Sequence, residues 1–263
     1  MKRRVFIAGL GSAAVWPVVT RAQQPAIPVI GFVSAGSADA EVHYVAAFRK
    51  GLSETGYVEG QNVTVEHHWL EGQFDRLPGL MADLVRRRVA VIATGTAAAA
   101  IEAKGATATI PIVFGVGDDP IRLGIVTSLA RPGGNVTGVN FFAREVNSKR
   151  LAILYELVPK AARIAVLVNP GNPTIAEATL RDVQEGARVI GLQVHVLKAS
   201  KIGEIDAAFA TFAAHHRIPA AYSIRDYVAV GGLMSYGTDV ADRFRQTGVY
   251  AGKILNGANP DNS

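Results

Sequence analysis

From Pro28 onward the chain alternates short apolar, β-branched runs with longer amphipathic ones, and few architectures can accommodate that rhythm. The apolar runs lie at residues 29–34, 63–69, 89–94, 111–116, 164–169, 192–197, 219–222 and 233–236. Helical patterns lie between them at 42–55, 76–88, 121–130, 147–158, 174–190, 204–215 and 239–256. A period near two that gives way to one near 3.6 and returns predicts repeated strand–helix units. Such units bury their apolar runs as parallel sheets covered by helices on both faces, so the expected class is α/β. The loop at 131–135, Arg-Pro-Gly-Gly-Asn, followed by a short strand at 136–142, reads as the linker between two lobes of similar plan.

The front of the chain follows different rules. Residues 1–22 carry Lys2, Arg3, Arg4 and Arg21 with no acid, then an apolar run at 5–19 and Thr20-Arg21-Ala22, a small-x-small cleavage pattern. This reads as a secretory signal, and Arg3-Arg4 before Val5-Phe6-Ile7 resembles the twin-arginine export signal. The run is shorter than the roughly 20 residues of a membrane span, and Pro17 breaks it. Residues 5–14 also fit G-x-G-x-x-A, the dinucleotide fingerprint. That fingerprint needs an uninterrupted helix after the glycines and an acid about 20 residues on; Pro17 and the lack of any acid before Asp39 deny both.

Charge is decisive here. The whole chain carries a formal net charge of +5, but the part after residue 22 holds 23 basic against 22 acidic residues. A near-neutral remainder gives no electrostatic case for nucleic acid. Zero cysteines exclude disulfide scaffolds, thiol catalysis and cysteine-built metal centres, and 49% hydrophobic composition excludes a disordered chain.

No catalytic set emerges. None of His43, His67, His68, His195, His215 and His216 has an i, i+4 histidine partner, so no metal site is expected. His67 and His68 read as strand residues on opposite faces. No G-x-S-x-G elbow or phosphate loop is present, no cofactor is expected, and Pro120 after Asp118 and Asp119 makes N-capping their ready explanation. The strand-end strings Ser34-Ala-Gly-Ser37, Thr94-Gly-Thr96, Gly115-Val-Gly-Asp-Asp119 and Asn169-Pro-Gly-Asn172 are N-caps first. They also fall at the carboxyl ends of strands, where open α/β sheets bind ligands. Hydroxyls and helix N-termini suit a carboxylate, and an aspartate suits an ammonium.

Several strings together resemble a known family: Ala22-Gln-Gln-Pro25, Val29-Ile-Gly-Phe32, Gly56-Tyr-Val-Glu-Gly-Gln-Asn62, Arg76-Leu-Pro78, Ile110-Pro-Ile-Val-Phe114, Asp119-Pro120, Arg131-Pro-Gly-Gly-Asn-Val-Thr-Gly138 and Gly231-Gly-Leu-Met-Ser-Tyr-Gly237. They look like the ABC-transporter substrate-binding proteins of the tryptophan/tyrosine type. The resemblance implies a type I periplasmic-binding fold, with two Rossmann-like lobes joined by a hinge. It places 28–140 and 238–257 in the first lobe and 141–237 in the second. It also implies export to the periplasm, a monomer, a small-molecule ligand of the amino-acid class, and an ABC permease in the inner membrane as partner.

Two departures go with it. Between Phe212 and Ala213 the family has a further strand and ligand-facing loop, and beyond Ser263 it continues through another strand and helix, so the second lobe is expected to be incomplete. Carried over by position, the ligand-binding residues expected are Ser34, Thr94, Gly95, Thr96, Asp118 and Asp119 from the first lobe. Asn169, Asn172, Tyr222, Ser223, Arg225 and Asp226 are expected from the second, with Tyr222 stacking on the ligand and Asp226 meeting an ammonium. Other readings are a periplasmic sensor or interaction module, a Rossmann-like enzyme, and a shortened homologue that no longer binds.

Overall fold

The structure is a computed structural model that describes residues 27–141, 143–171, 173–199, 221–222, 234–237 and 239–262. The expected signal at 1–22 and the expected helix at 204–215 lie outside the described residues. Helices are α1 (Val42–Ser53), α2 (Leu77–Arg86), α3 (Ala97–Ala106), α4 (Ala143–Leu157), α5 (Pro173–Val189) and α6 (Val240–Leu255).

Strands β1 (Val29–Ser34), β2 (Thr64–Trp69), β3 (Val91–Thr94), β4 (Ile112–Val116) and β5 (Val136–Asn140) form one parallel sheet in the order β2-β1-β3-β4-β5. The alternation of side chains across these strands explains why they read as continuous apolar runs. Ile30 and Phe32, Val91 and Ala93, and Val113 pack with Tyr44, Phe48 and Leu52 of α1 and with Phe244, Ala251 and Ile254 of α6. Val33, Ile92, Ile112 and Phe114 face the other way, onto Leu77, Met81 and Leu84 of α2 and the alanines of α3. Both faces are therefore dry, the condition under which parallel strands lose their polar alternation.

A second parallel sheet pairs β6 (Arg163–Val168) with β7 (Gln193–Lys198), and β8 (Ala221–Tyr222) pairs with β9 (Met234–Ser235). Leu151 of α4, Val183 and Ala187 of α5, and Leu192 form the core beside β6 and β7. The strand–helix rhythm thus produces an α/β architecture with parallel sheets.

Three local expectations change. Residues 121–130 are not a helix but a single turn, closed by Leu123 N–H on Asp119 O at 3.1 Å and Ile125 N–H on Pro120 O at 2.8 Å. Gly124, at φ +70°, turns the chain out of the helical path, and the apolar pattern arises because Ile125 and Val126 are buried. Helix α3 forms in an alanine-rich stretch without an amphipathic stripe, where intrinsic propensity and a Thr96 cap suffice. Residues 131–135, expected as the linker, instead join β4 to β5, and the chain leaves the first sheet only after Asn140.

Helix α6 returns from the chain's far end to lie directly on α1. A Cβ at Gly51 would collide with the Arg245 carbonyl oxygen, one at Gly248 with the Phe48 carbonyl oxygen, and one at Gly252 with the Thr55 hydroxyl. Beside this backbone contact, Arg245 Nη1 donates to Glu54 Oε2 at 2.8 Å and Asn256 Nδ2 donates to Thr55 O at 3.0 Å. On edge strand β2, His67 stacks on Trp69 with centroids 5.6 Å apart and meets Phe32 edge-on at 5.3 Å. Burial holds the pKa of His67 below its ordinary value against the pull of Glu59, and burial does the same to His68 against Glu66.

Two stability predictions follow from this packing. Gly248→Val forces α6 off α1, a strain costing about 1–3 kcal/mol, so its denaturation midpoint should fall; an unchanged midpoint would refute the backbone contact. For the histidines, a folded-state pKa below the unfolded 6.5 means their contribution is complete above that value and lost as pH falls through the folded pKa. Melting temperature should therefore drop on acidification below about pH 6.5, and His67→Gln should flatten the slope. Parallel profiles for variant and wild type would show that His67 is not its source.

Candidate functional site

The sheet order places β1 and β3 side by side, with Val33 opposite Thr94. From their carboxyl ends the chain departs in opposite directions, to α1 on one face and α3 on the other. This is the topological switch point of a doubly wound sheet, where diverging loops leave a crevice. Ser34, Thr94, Gly95 and Thr96 all stand there.

Their polar atoms are already partly committed. Ser34 is buried, and its Oγ donates to Glu41 Oε2 at 2.5 Å. Thr94 is buried as well, and its Oγ1 accepts from Thr96 N–H at 3.3 Å. Thr96 Oγ1 accepts from Ala99 N–H at 3.2 Å and so caps α3. Gly95 N–H donates to Val33 O at 3.3 Å, which carries the β1–β3 ladder to the very start of the helix. The N-terminus of α3 is thus fixed at the crevice with its dipole directed toward it.

Two charged groups that the sequence reading did not single out complete the crevice. Glu41 precedes α1, and burial raises its carboxyl above the ordinary range against the opposing pull of Ser34, Arg243 and the Gly36 N–H. Arg243 comes from α6, with its guanidinium 4.9 Å from the Phe141 ring centre and 4.4 Å from that of Phe244. A Cβ on Gly95 would stand 3.8 Å from Arg243 Nη2, and one on Gly115 3.3 Å from its Cγ and Cδ. Burial pulls the guanidinium pKa down to about 10, with Glu41 and Tyr44 acting in the other direction. One signal could have exposed Arg243: it shares a helical face with Thr247, Ala251 and Ile254, all buried, so an arginine interrupts an otherwise core-facing stripe.

The remaining expected residues are placed more variously. Asp118 is buried after β4, whereas Asp119 Oδ1 accepts from Ile121 N–H at 2.9 Å and caps the turn that follows. Asn169 follows β6, and its Oδ1 accepts from Gly171 N–H at 2.8 Å. It also lines a cleft of about 260 Å³ with Ala35, Phe74, Leu167, Ile175 and Ala176. That cleft sets the loop after β1 against the end of β6 and the start of α5. Tyr222 is half-buried in β8, opposite Ser235. Asn172, Ser223, Arg225 and Asp226 lie outside the described residues.

Residues 26–216 match the family described as ABC transporter substrate binding protein. The chain belongs to that family. Proteins of this family bind small-molecule ligands, are typically extracytoplasmic, typically work with an ABC permease and are generally non-catalytic. The substrate-binding protein is 26% identical over 234 residues to the tyrosine-binding protein of Clostridioides difficile strain R20291, a match covering 80% of this chain and 67% of the relative. Among solved structures it is similar to a conserved domain protein from Vibrio cholerae, with TM-score 0.77, 23% identity and coverage of 90% of this chain and 88% of the other. It is also similar to an ABC domain from Streptococcus pneumoniae in complex with L-Trp, with TM-score 0.72, 22% identity and coverage of 90% and 87%. These likenesses establish the type I periplasmic-binding fold.

The hydrogen bonds separate capping from other work. Thr96→Ala removes the cap of α3 and should cost about 1 kcal/mol in chemical denaturation. The cap assignment fails if Thr96→Ala unfolds at the wild-type denaturant concentration.

Proposed function

We propose that this chain is the exported, periplasmic solute-binding component of an ABC importer and that it holds an amino acid in the crevice at the ends of β1 and β3. The observation that carries the reading is the convergence of buried Ser34 and Thr94, the capped start of α3 and the half-buried Glu41 on one switch point. Beside it runs the cleft bordered by Ala35 and Asn169. The residues 28–140 and 238–257 act as one lobe and 141–237 as the other, closing on the ligand. Ser34, Thr94, Gly95, Thr96 and Asp118 contribute from the first lobe. Asn169, Asn172, Tyr222, Ser223, Arg225 and Asp226 contribute from the second, and Asp119 serves mainly as the cap of its turn.

The amino-acid assignment draws on the names of two similar proteins, one tyrosine-binding and one solved with L-Trp. It agrees with the chemistry of the crevice, where hydroxyls, helix N–H groups and two charges of opposite sign stand on an apolar floor. Affinity comes from polar pairing in a space that closure makes dry, and no bond of the ligand is broken. Residues 1–22 provide the export signal, and a permease in the inner membrane receives the ligand.

The test is a thermal-shift series with L-tyrosine, L-tryptophan and the other amino acids. A ligand at 100 times its Kd adds about 2.7 kcal/mol of stability, a clear rise in melting temperature. Thr94→Val, which removes the hydroxyl and keeps the shape, should weaken binding by about tenfold, equivalent to one lost hydrogen bond. A melt that no amino acid or small carboxylate moves would overturn the reading.

A further inference from the structure

Glu41 and Arg243 reach the switch point from opposite ends of the chain. Glu41 leans on Gly36 and Ser34 at the end of β1, and Arg243 crosses beside Gly95 and Gly115 at the ends of β3 and β4. Each is close enough to alter the other's ionisation. Among the described residues, however, Arg243 Nε has no hydrogen-bond acceptor and the guanidinium has no carboxylate within 4.0 Å. Two aromatic rings flank the cation instead. The Glu41 carboxylate accepts from the Ser34 hydroxyl and the Gly36 N–H, which leaves about half of its lone-pair capacity open.

Among the described residues neither charge has a direct ion-pair partner, although each feels the other's field, and both are partly withdrawn from water, a costly arrangement in the empty protein. Burial raises Glu41 and lowers Arg243, the directions expected when each charged form is undersatisfied. An α-amino acid carries an ammonium and a carboxylate on one carbon. It can supply both counter-charges at once and adds no net charge to the crevice.

The geometry points to Arg243 and Glu41 as the pair that reads the two ends of a zwitterionic ligand, Arg243 taking the carboxylate and Glu41 the ammonium. Thr94 and the N-terminus of α3 then support the carboxylate from the side of β3. The aromatic rings beside Arg243 hold its plane and exclude water from it. Glu41 thereby fills from the first lobe the role that the sequence reading gave to Asp226. The inference rests on the solute-binding reading above and narrows its ligand class to zwitterions.

Calorimetric titration of the folded protein with three probes tests it: L-tyrosine, tyramine, which lacks the carboxylate, and 3-(4-hydroxyphenyl)propionate, which lacks the ammonium. Arg243→Met should lose at least about tenfold in affinity for tyrosine and the propionate while leaving tyramine unchanged, as loss of a charge-assisted bond requires. Glu41→Gln should weaken tyrosine and tyramine and leave the propionate unchanged. Arg243→Lys should recover part of the tyrosine affinity. If Arg243→Met does not melt cooperatively, Glu41→Gln and Arg243→Lys decide the matter by the same probe pattern.

Variants that bind tyrosine as wild type does, or that weaken all three probes equally, overturn the pair. So does an ammonium dependence that vanishes in Asp226→Asn but persists in Glu41→Gln. Wild-type protein that binds tyrosine while these variants fail the pattern leaves the solute-binding reading standing. Wild-type protein that binds no amino acid overturns both.

Discussion

The close contact between α1 and α6 is the constraint on which the first sheet depends. Residues 28–140 supply five strands, but the face bearing Ile30, Phe32, Val91, Ala93 and Val113 is covered only partly by α1. Phe244, Ala251 and Ile254 complete that cover from more than a hundred residues further on, and they can do so because Gly51 and Gly248 let two helix backbones touch, while Gly252 makes room for the Thr55 side chain. The same approach fixes where the N-terminal end of α6 lies. Arg243 belongs to that end, so helix packing carries a cation to the ends of β3 and β4.

Sheet order then determines what the cation meets. Because β1 and β3 are neighbours whose helices lie on opposite faces, their loops diverge and leave polar backbone and short side chains at one edge. Ser34, Thr94 and Thr96 hold that edge together through bonds to Glu41, to the Thr96 N–H and to the Ala99 N–H. Capping and ligand recognition draw on the same atoms, so a residue's presence at a strand end says little until its partners are known. Asp119 illustrates the point: it stands one position beyond buried Asp118, yet its side chain is occupied by the turn at Ile121 and Arg122.

Much of the sheet was legible because strands buried on both faces leave an unmistakable apolar run, and each of β1 to β4 lies within the range expected for it. Legibility failed where tertiary context overrode local pattern. Residues 121–130 carry a helix-like spacing of apolar groups, but Gly124 at φ +70° and the bond from Thr127 N–H to Pro132 O make a loop of them. Helix α3 shows the reverse, since alanines packed against a sheet need no amphipathic stripe. In the crevice, hydroxyls and glycines at strand ends were visible as a class. Glu41 and Arg243 were not, because an acid before one helix and an arginine within another look like ordinary surface charge until the fold draws both to the switch point and partly withdraws them from water.

That burial is also the strongest argument about what the crevice is for. A core selected for stability alone would put an apolar side chain where Arg243 lies between Phe141 and Phe244, avoiding the desolvation of a guanidinium. Retaining the charge lowers the stability of the empty protein and raises the free energy released when a matching anion arrives. The stability forgone at the switch point is therefore recovered as binding energy, and it is recovered most fully by a ligand that satisfies Glu41 in the same step.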